Sequence, residues 1–308
     1  MAGANLPAKK YQKTTPTQLR LSFEGSGNAT KFIDIARALS VINRRFYRQG
    51  VYYYVNSVEL YNNEDAFVDL HTIPDTWVTK NAHQRAFRIF QKMNAMVDIP
   101  RPKYHDFKVY MSDLHRSTGD MNPDTYGINS NDNNHTPDDW IHSFLSSADD
   151  DGDATQEADN FYIHMIGPHV GSAGNWTSIG AIKSYSDTRP EPDQSGSPVM
   201  PADYNIDPLM NIFDFSSEEQ LNDIATYLNN DNDETPYNAD TYLGEDVRDM
   251  QHVARLATSV TTGRVAKASG FCAPFGLICV DPQDTATAWR VVINLAPGTY
   301  KGVYAERA

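Results

Sequence analysis

Long apolar runs are missing from this chain. None of its 308 residues fall in a stretch near the roughly 18 apolar positions that a membrane-crossing helix needs. The opening Met1-Ala2-Gly3-Ala4-Asn5-Leu6-Pro7 also lacks the apolar core of a secretory signal, so synthesis and folding in the cytoplasm are expected. Cysteine is scarce: Cys272 and Cys279 stand alone in one apolar run. One such pair makes neither a disulfide framework nor a zinc site, and buried free thiols are expected.

The signatures of common chemistry are absent too. There is no glycine-rich dinucleotide or phosphate loop, no nucleophile elbow and no His-Glu-x-x-His helix. The nine histidines are scattered, and His164 and His169, the closest pair, are separated by a Gly-Pro that breaks any shared register. The acidic run Asp149-Asp150-Asp151-Gly152-Asp153 resembles a calcium loop only in part. With Gly152 at the sixth position, Ser147 stands at the first and Ala158 at the twelfth, where a carboxylate and a bidentate Glu belong. No residue is therefore expected to serve as a catalytic group, cofactor contact or metal ligand, and no enzyme activity is expected.

What is present is a charge asymmetry on a net charge of −14. Residues 1–50 hold nine basic side chains against Glu24 and Asp34, whereas residues 149–249 hold twenty-two acidic ones against Lys183, Arg189 and Arg248. One end suits an anionic partner or surface, and the other suits water.

Tyrosine and phenylalanine are plentiful, at 17 and 13, which favours sheet. Residues 1–17 have no periodicity and read as a basic arm. Residues 19–23 alternate as a short strand. Ile35, Leu39, Ile42 and Phe46 recur at helical spacing, predicting one amphipathic helix over 31–48 with Arg37, Arg44, Arg45 and Arg48 on its wet face. Residues 51–61 predict a long strand with Tyr52, Tyr54, Val58 and Leu60 on one side, paired as a hairpin with a strand over 66–73. Pro74 and Asp75 introduce a helix from Trp77 to about Met96. Further strands are expected at 107–111, 161–166, 178–185, 270–280 and 287–304, and helices after the Ser216/Glu219 capping box and over 245–257. Two long irregular stretches, 112–160 and 186–211, carry large apolar side chains such as Met121, Trp140 and Tyr204. Disordered chain has few such residues, and neighbouring subunits are expected to order these loops.

Strands and helices do not alternate as a parallel sheet requires. The fold expected is mainly β with inserted helices, an antiparallel jelly-roll barrel or sandwich, one elaborated barrel rather than a double barrel. The domains expected are the flexible arm 1–17 and a β-barrel domain 18–308 carrying the two insertions.

The polar arm before the first strand, the short strands with Asn/Asp/Pro-rich loops, the stretch His71-Thr-Ile-Pro-Asp-Thr-Trp-Val-Thr-Lys-Asn81 and the closing Ala296-Pro-Gly-Thr-Tyr-Lys-Gly-Val303 resemble the jelly-roll major capsid proteins of small icosahedral DNA viruses and phages. The resemblance implies a structural protein that assembles with copies of itself into a shell enclosing a genome, located in the virion with other virion proteins. It implies no cofactor and no catalytic set. Capsid arms that package naked DNA are often dense in arginine. Here the first 20 residues hold only Lys9, Lys10, Lys13 and Arg20, so weak contact with viral DNA, or contact with an internal membrane, is expected. The alternative is a carbohydrate-binding or hydrolytic β-sandwich, which accounts for the tyrosines and aspartates but not for the arm.

Overall fold

A computed structural model describes residues 17–96, 105–124, 140–147, 159–172, 175–188, 242–261, 263–283 and 288–307. The expected arm, the Asp149–Asp153 run and the helix after Ser216 lie outside these residues, as does nearly all of the stretch 186–211. Residues 1–185 and 243–308 form one compact unit, and 186–242 form a second, to which only a few described residues belong.

The first unit is mainly β, with antiparallel sheets. Eight strands carry it: β1 (Arg20–Ser26), β2 (Lys31–Asp34), β3 (Val51–Tyr61), β4 (Ala66–Thr72), β9 (Gln251–Thr258), β10 (Val265–Ala273), β11 (Leu277–Gln283) and β12 (Ala288–Leu295). They pair in a nested way. The first pairs with the last (β1 with β12), the second with the seventh (β2 with β11), the third with the sixth (β3 with β10), and the fourth with the fifth (β4 with β9), all antiparallel. The nested pairs alternate between two sheets, ordered β1-β12-β3-β10 and β2-β11-β4-β9. A third sheet, β5 (Phe144–Ser147), β6 (Asp159–His164), β8 (Asn175–Gly180) and β7 (Val170–Ser172), contains the parallel pair β6–β8. Two short strands, β13 (Pro297–Gly298) and β14 (Gly302–Val303), form a hairpin, and β15 (Ala305–Arg307) pairs with the start of β3.

Both main sheets give side chains to one apolar core, with Phe23, Val58, Leu60 and Trp289 from the first and Ile33, Val68, Leu70 and Val280 from the second. Trp289, Val291, Ile293 and Leu295 share the buried face of β12, as their alternation predicts. Gly25 lies directly beneath the indole of Trp289, where an added Cβ would stand 2.3 Å from Cζ2. The indole is pinned by its own Nε1 donating to Gly27 O at 3.1 Å. Gly25→Val should therefore cost about 1–3 kcal/mol, the usual penalty of overpacking a core. Urea denaturation would read it as a lower midpoint at unchanged slope.

The helix α2 (Trp77–Met96) forms where its stripe predicts, with Val78, Ala82, Ala86 and Phe90 buried. Other local patterns misled. The predicted hairpin over 51–73 does not form: β3 and β4 follow one another but sit in different sheets, because β12 and β10 flank β3. The face of β3 also switches midway. Val55 opposes Leu295 while Ser57 opposes Asn294, leaving Asn56 as a bulge against β12. Tyr53 and Val55 therefore join Val58 and Leu60 in the core, in place of Tyr52 and Tyr54.

The predicted helix 31–48 splits. Residues 31–34 extend to pair with β11, and α1 (Ile35–Asn43) starts from the cap Asp34 and stops at Arg44, which is left-handed at φ 51°. Its Arg37 is buried, not wet. The stretch 245–257 contains β9 in place of the expected helix, because pairing with β4 outweighs the helix propensity of its Ala, Arg and Leu. The run 270–280 divides at Pro274–Gly276 into β10 and β11, and 178–185 divides into the end of β8 and α4 (Ala181–Asp187). Residues 107–111 form no strand beyond a bridge from Tyr110 to His164.

Candidate functional site

Among the described residues, a concentrated set of buried polar groups lies where α1 leaves β2. Asp34 caps α1 by accepting from Arg37 N at 3.1 Å. The same carboxylate accepts from Gln49 Nε2 at 2.9 Å and Trp140 Nε1 at 3.0 Å. Gln49 also grips Val109 with both ends of its amide, accepting its N–H at 2.6 Å and donating to its carbonyl at 3.0 Å. One buried carboxylate thus joins four parts of the chain.

A second layer lies beside it. The Arg37 guanidinium donates to Met121 O at 3.2 Å and Asn122 Oδ1 at 2.8 Å. That holds residues 120–122 next to β2, where Met121 N donates to Phe32 O at 2.7 Å. The short helix α3 (Asp113–Thr118) is capped by Ser112 and presents His115, which stacks on Phe32 at 4.7 Å. His142 stacks on Tyr110 at 3.8 Å, and Lys108 lies over the Trp140 ring at 4.3 Å.

Burial sets the electrostatics of this cluster. Burial, reinforced by the charge of Asp120, pushes the Asp34 carboxyl up to about 6. Burial also pushes Asp120 up, but the His115 ring, His142 and Arg37 outweigh it and hold that carboxyl below its ordinary value. The His142 imidazole, 6% exposed and with no partner at Nε2 among the described residues, is pushed down to about 3 by burial. Burial likewise lowers Lys108.

His115, Asp120 and His142 offer donor atoms within 4.8 Å of one another, the one such group among the described residues. The hydrogen bonds decide against a metal there. His115 Nδ1 accepts from Met111 N at 3.0 Å, so the ring proton sits on Nε2 and is given to Asp120 Oδ1 at 2.8 Å. A metal-bound histidine shows the reverse, one nitrogen ligating while the other donates. With His115 committed, Asp120 and His142 remain, fewer than the three protein ligands of even an open zinc site. The cluster is an anchor for residues 105–124 and 140–147.

Residues singled out in the sequence fare differently. His164 is buried and satisfied at both nitrogens, by Ser178 Oγ at 2.7 Å and Pro168 O at 3.0 Å. His169 Nδ1 accepts from Gly180 N at 3.2 Å, so the pair shares no ligand. Cys279 is a buried free thiol, while Cys272 is free but only partly buried. Of the apolar loop anchors, Trp140 is buried and Met121 packs against the core. The acidic run and Tyr204 lie outside the described residues. Asp34, Gln49, His115, Asp120 and His142 gave no sequence signal, because they meet only through the fold.

Beside the anchor, an apolar surface faces water. Ile141 is 66% exposed and Phe144 54%, and Phe144 opposes Tyr162 across β5 and β6. Among the described residues, strand β5 is an edge of its sheet, the kind of strand that can pair with another chain. Family models, curated proteins and solved structures were all compared with this chain, and none matches it.

Proposed function

We propose that this chain is a viral major capsid protein of the jelly-roll kind, which assembles with copies of itself into an icosahedral shell around a genome and is not an enzyme. The nested order of the eight strands carries the reading. A long antiparallel ribbon wound into a barrel places its successive strand pairs alternately in two sheets, and orders 1-8-3-6 and 2-7-4-5 are what that winding produces. A single barrel accounts for these eight strands, with the third sheet as its elaboration.

Three further observations support the reading. The space between the sheets is filled by Phe, Trp, Leu, Ile and Val, which favours a packed structural domain over one holding a ligand inside. The described parts of the insertion 112–160 are anchored by buried polar contacts, as loops are when they shape a surface. Exposed Ile141 and Phe144 at the β5 edge suit contact with a second copy. Under this reading the basic residues before β1 face the genome or an internal membrane, the acidic stretch 149–249 faces outward, and the protein resides in the virion. The carbohydrate-binding or hydrolytic alternative would place aromatic faces and paired carboxylates in one cleft.

Electron microscopy of the expressed protein separates the two. Closed shells or regular rings support the capsid reading, and dispersed single subunits that bind oligosaccharide contradict it.

A further inference from the structure

Beyond the end of α1, four exposed cations share one place on a chain whose net charge is −14. Arg44, Arg45 and Arg48 stand in the turn that follows the helix, and no Asp or Glu occurs anywhere in residues 35–58. Lys301, in the hairpin turn between β13 and β14, is brought to the same turn. Its Nζ donates to Phe46 O, and the neighbouring Tyr300 Oη accepts from Arg48 N at 3.0 Å. The two charges feel one another: burial and the positive charge of Arg48 lower the Lys301 ammonium, against a smaller pull from Asp106. Asp106 reaches Arg48 only at 3.8 Å.

Two of these cations sit where the backbone resists them. Arg44 and Lys301 both have φ 51°, the left-handed region that glycine takes up freely, and they are two of the three non-glycine residues with positive φ among the described ones. Glycine at either position would ease the backbone, so the fold itself does not call for a cation there. Like charges held together also repel, and an anion that bridges them removes that cost. The first described residues of the chain arrive at the same spot. Thr17 Oγ1 donates to Lys301 O at 2.8 Å, Gln18 N to Asn43 Oδ1 at 2.8 Å, and Asn43 Nδ2 to Gln18 O at 3.2 Å. Lys13, four residues earlier in the sequence, is thereby tethered within about 14 Å of Thr17.

We propose that Arg44, Arg45, Arg48 and Lys301 form a contact surface for the phosphodiester backbone of a nucleic acid, bound without regard to base sequence. Three of the four are arginines, whose planar fork meets two phosphate oxygens at once. Phosphates repeated along a backbone suit several cations strung over one turn better than a single small anion does. A bilayer of anionic lipid offers phosphate too, but segments that bind it set exposed apolar side chains among their cations. None of the exposed large apolar side chains described falls in residues 42–48 or 296–303. The inference deepens the capsid reading, under which that nucleic acid is the genome. Contact is measured on the subunit, so its failure leaves self-association untouched, and a chain that stays monomeric leaves the contact surface untouched.

The test uses the full chain and the double variant Arg44→Gly/Lys301→Gly, which removes two charges at positions that favour glycine and should fold as the parent does. Arg88→Gln, exposed on α2, is the control. Fluorescence anisotropy with a short labelled single-stranded oligonucleotide of mixed sequence reads binding, and co-sedimentation with vesicles rich in phosphatidylglycerol reads the membrane alternative. The parent and R88Q should bind the oligonucleotide alike. The double variant should bind it roughly tenfold or more weakly, and its slope of log affinity against log salt should be shallower by about 1.4, two contacts at about 0.7 each. If the double variant does not fold, Arg48→Gln carries the same reading through one contact, with a slope change of about 0.7. No binding of the oligonucleotide by the parent, equal affinity in R88Q and the folded patch variant, or binding of vesicles alone would overturn the proposal.

Discussion

A chain ending before β12 should be insoluble. Strand β12 lies between β1 and β3, opposing seven residues of β1 and six of β3, so its loss removes both ladders and splits the sheet. It also removes Trp289, Val291, Ile293 and Leu295, all buried. Side chains of that size stabilise by roughly 1.5–3 kcal/mol each on burial, a sum that rivals the whole net stability of a domain at about 5–15 kcal/mol. Deleting residues 2–16 instead removes none of the described core residues and leaves Thr17, whose Oγ1 donates to Lys301 O at 2.8 Å. That shorter chain should stay soluble and melt as the parent does. Circular dichroism on the soluble fractions checks both, and the opposite pattern would refute the strand assignment.

Mild acid should destabilise the subunit, and His142 should be a main cause. Burial holds its pKa at about 3 in the folded chain and that of His83 at about 4, against an ordinary 6.5. The unfolded chain therefore binds protons first as pH falls from about 6.5, and folding stability is lost progressively down to these values. Asp34 acts in the opposite sense. Its folded value of about 6 lies above the ordinary 3.8, so the folded chain binds that proton first and gains stability between about 6 and 4. The two histidines outweigh the one carboxyl, and a net loss of a few kcal/mol is expected between pH 7 and pH 4, at about 1.36 kcal/mol per unit of displaced pKa. The carboxylates held low, Asp69 and Glu59, add their loss only at more acid pH. His142→Phe keeps an aromatic ring against Tyr110 and removes the titration. Urea unfolding at several pH values should show this variant losing less stability on acidification than the parent, and an unchanged pH dependence would exclude His142 as the cause.

Local pattern revealed the elements better than their partners. The alternation in 289–295 gave the buried face of β12, and the stripe from Val78 to Phe90 gave the buried side of α2. Both depend on one element meeting one core. The strand over 51–61 was equally plain, but a bulge at Asn56 exchanged its faces, and a bulge is created by the partner strand rather than by the residues beside it. The hairpin failed because adjacency along the chain says nothing of which sheet each strand joins. Arg37 was placed on a wet face, since nothing near it announces the carbonyl of Met121, 84 residues away, that receives its guanidinium. The same holds for Asp34 and Trp140, separated by 106 residues and joined by a single hydrogen bond.

Self-association is the central claim, and the molar mass of the purified chain in solution tests it most directly. Multi-angle light scattering at micromolar concentration should find trimers, pentamers or larger assemblies. Substituting Ile141 and Phe144 together by Ser should shift the distribution towards smaller species if the β5 edge is a contact. A species of 34.5 kDa that stays monomeric across salt and pH would contradict the account.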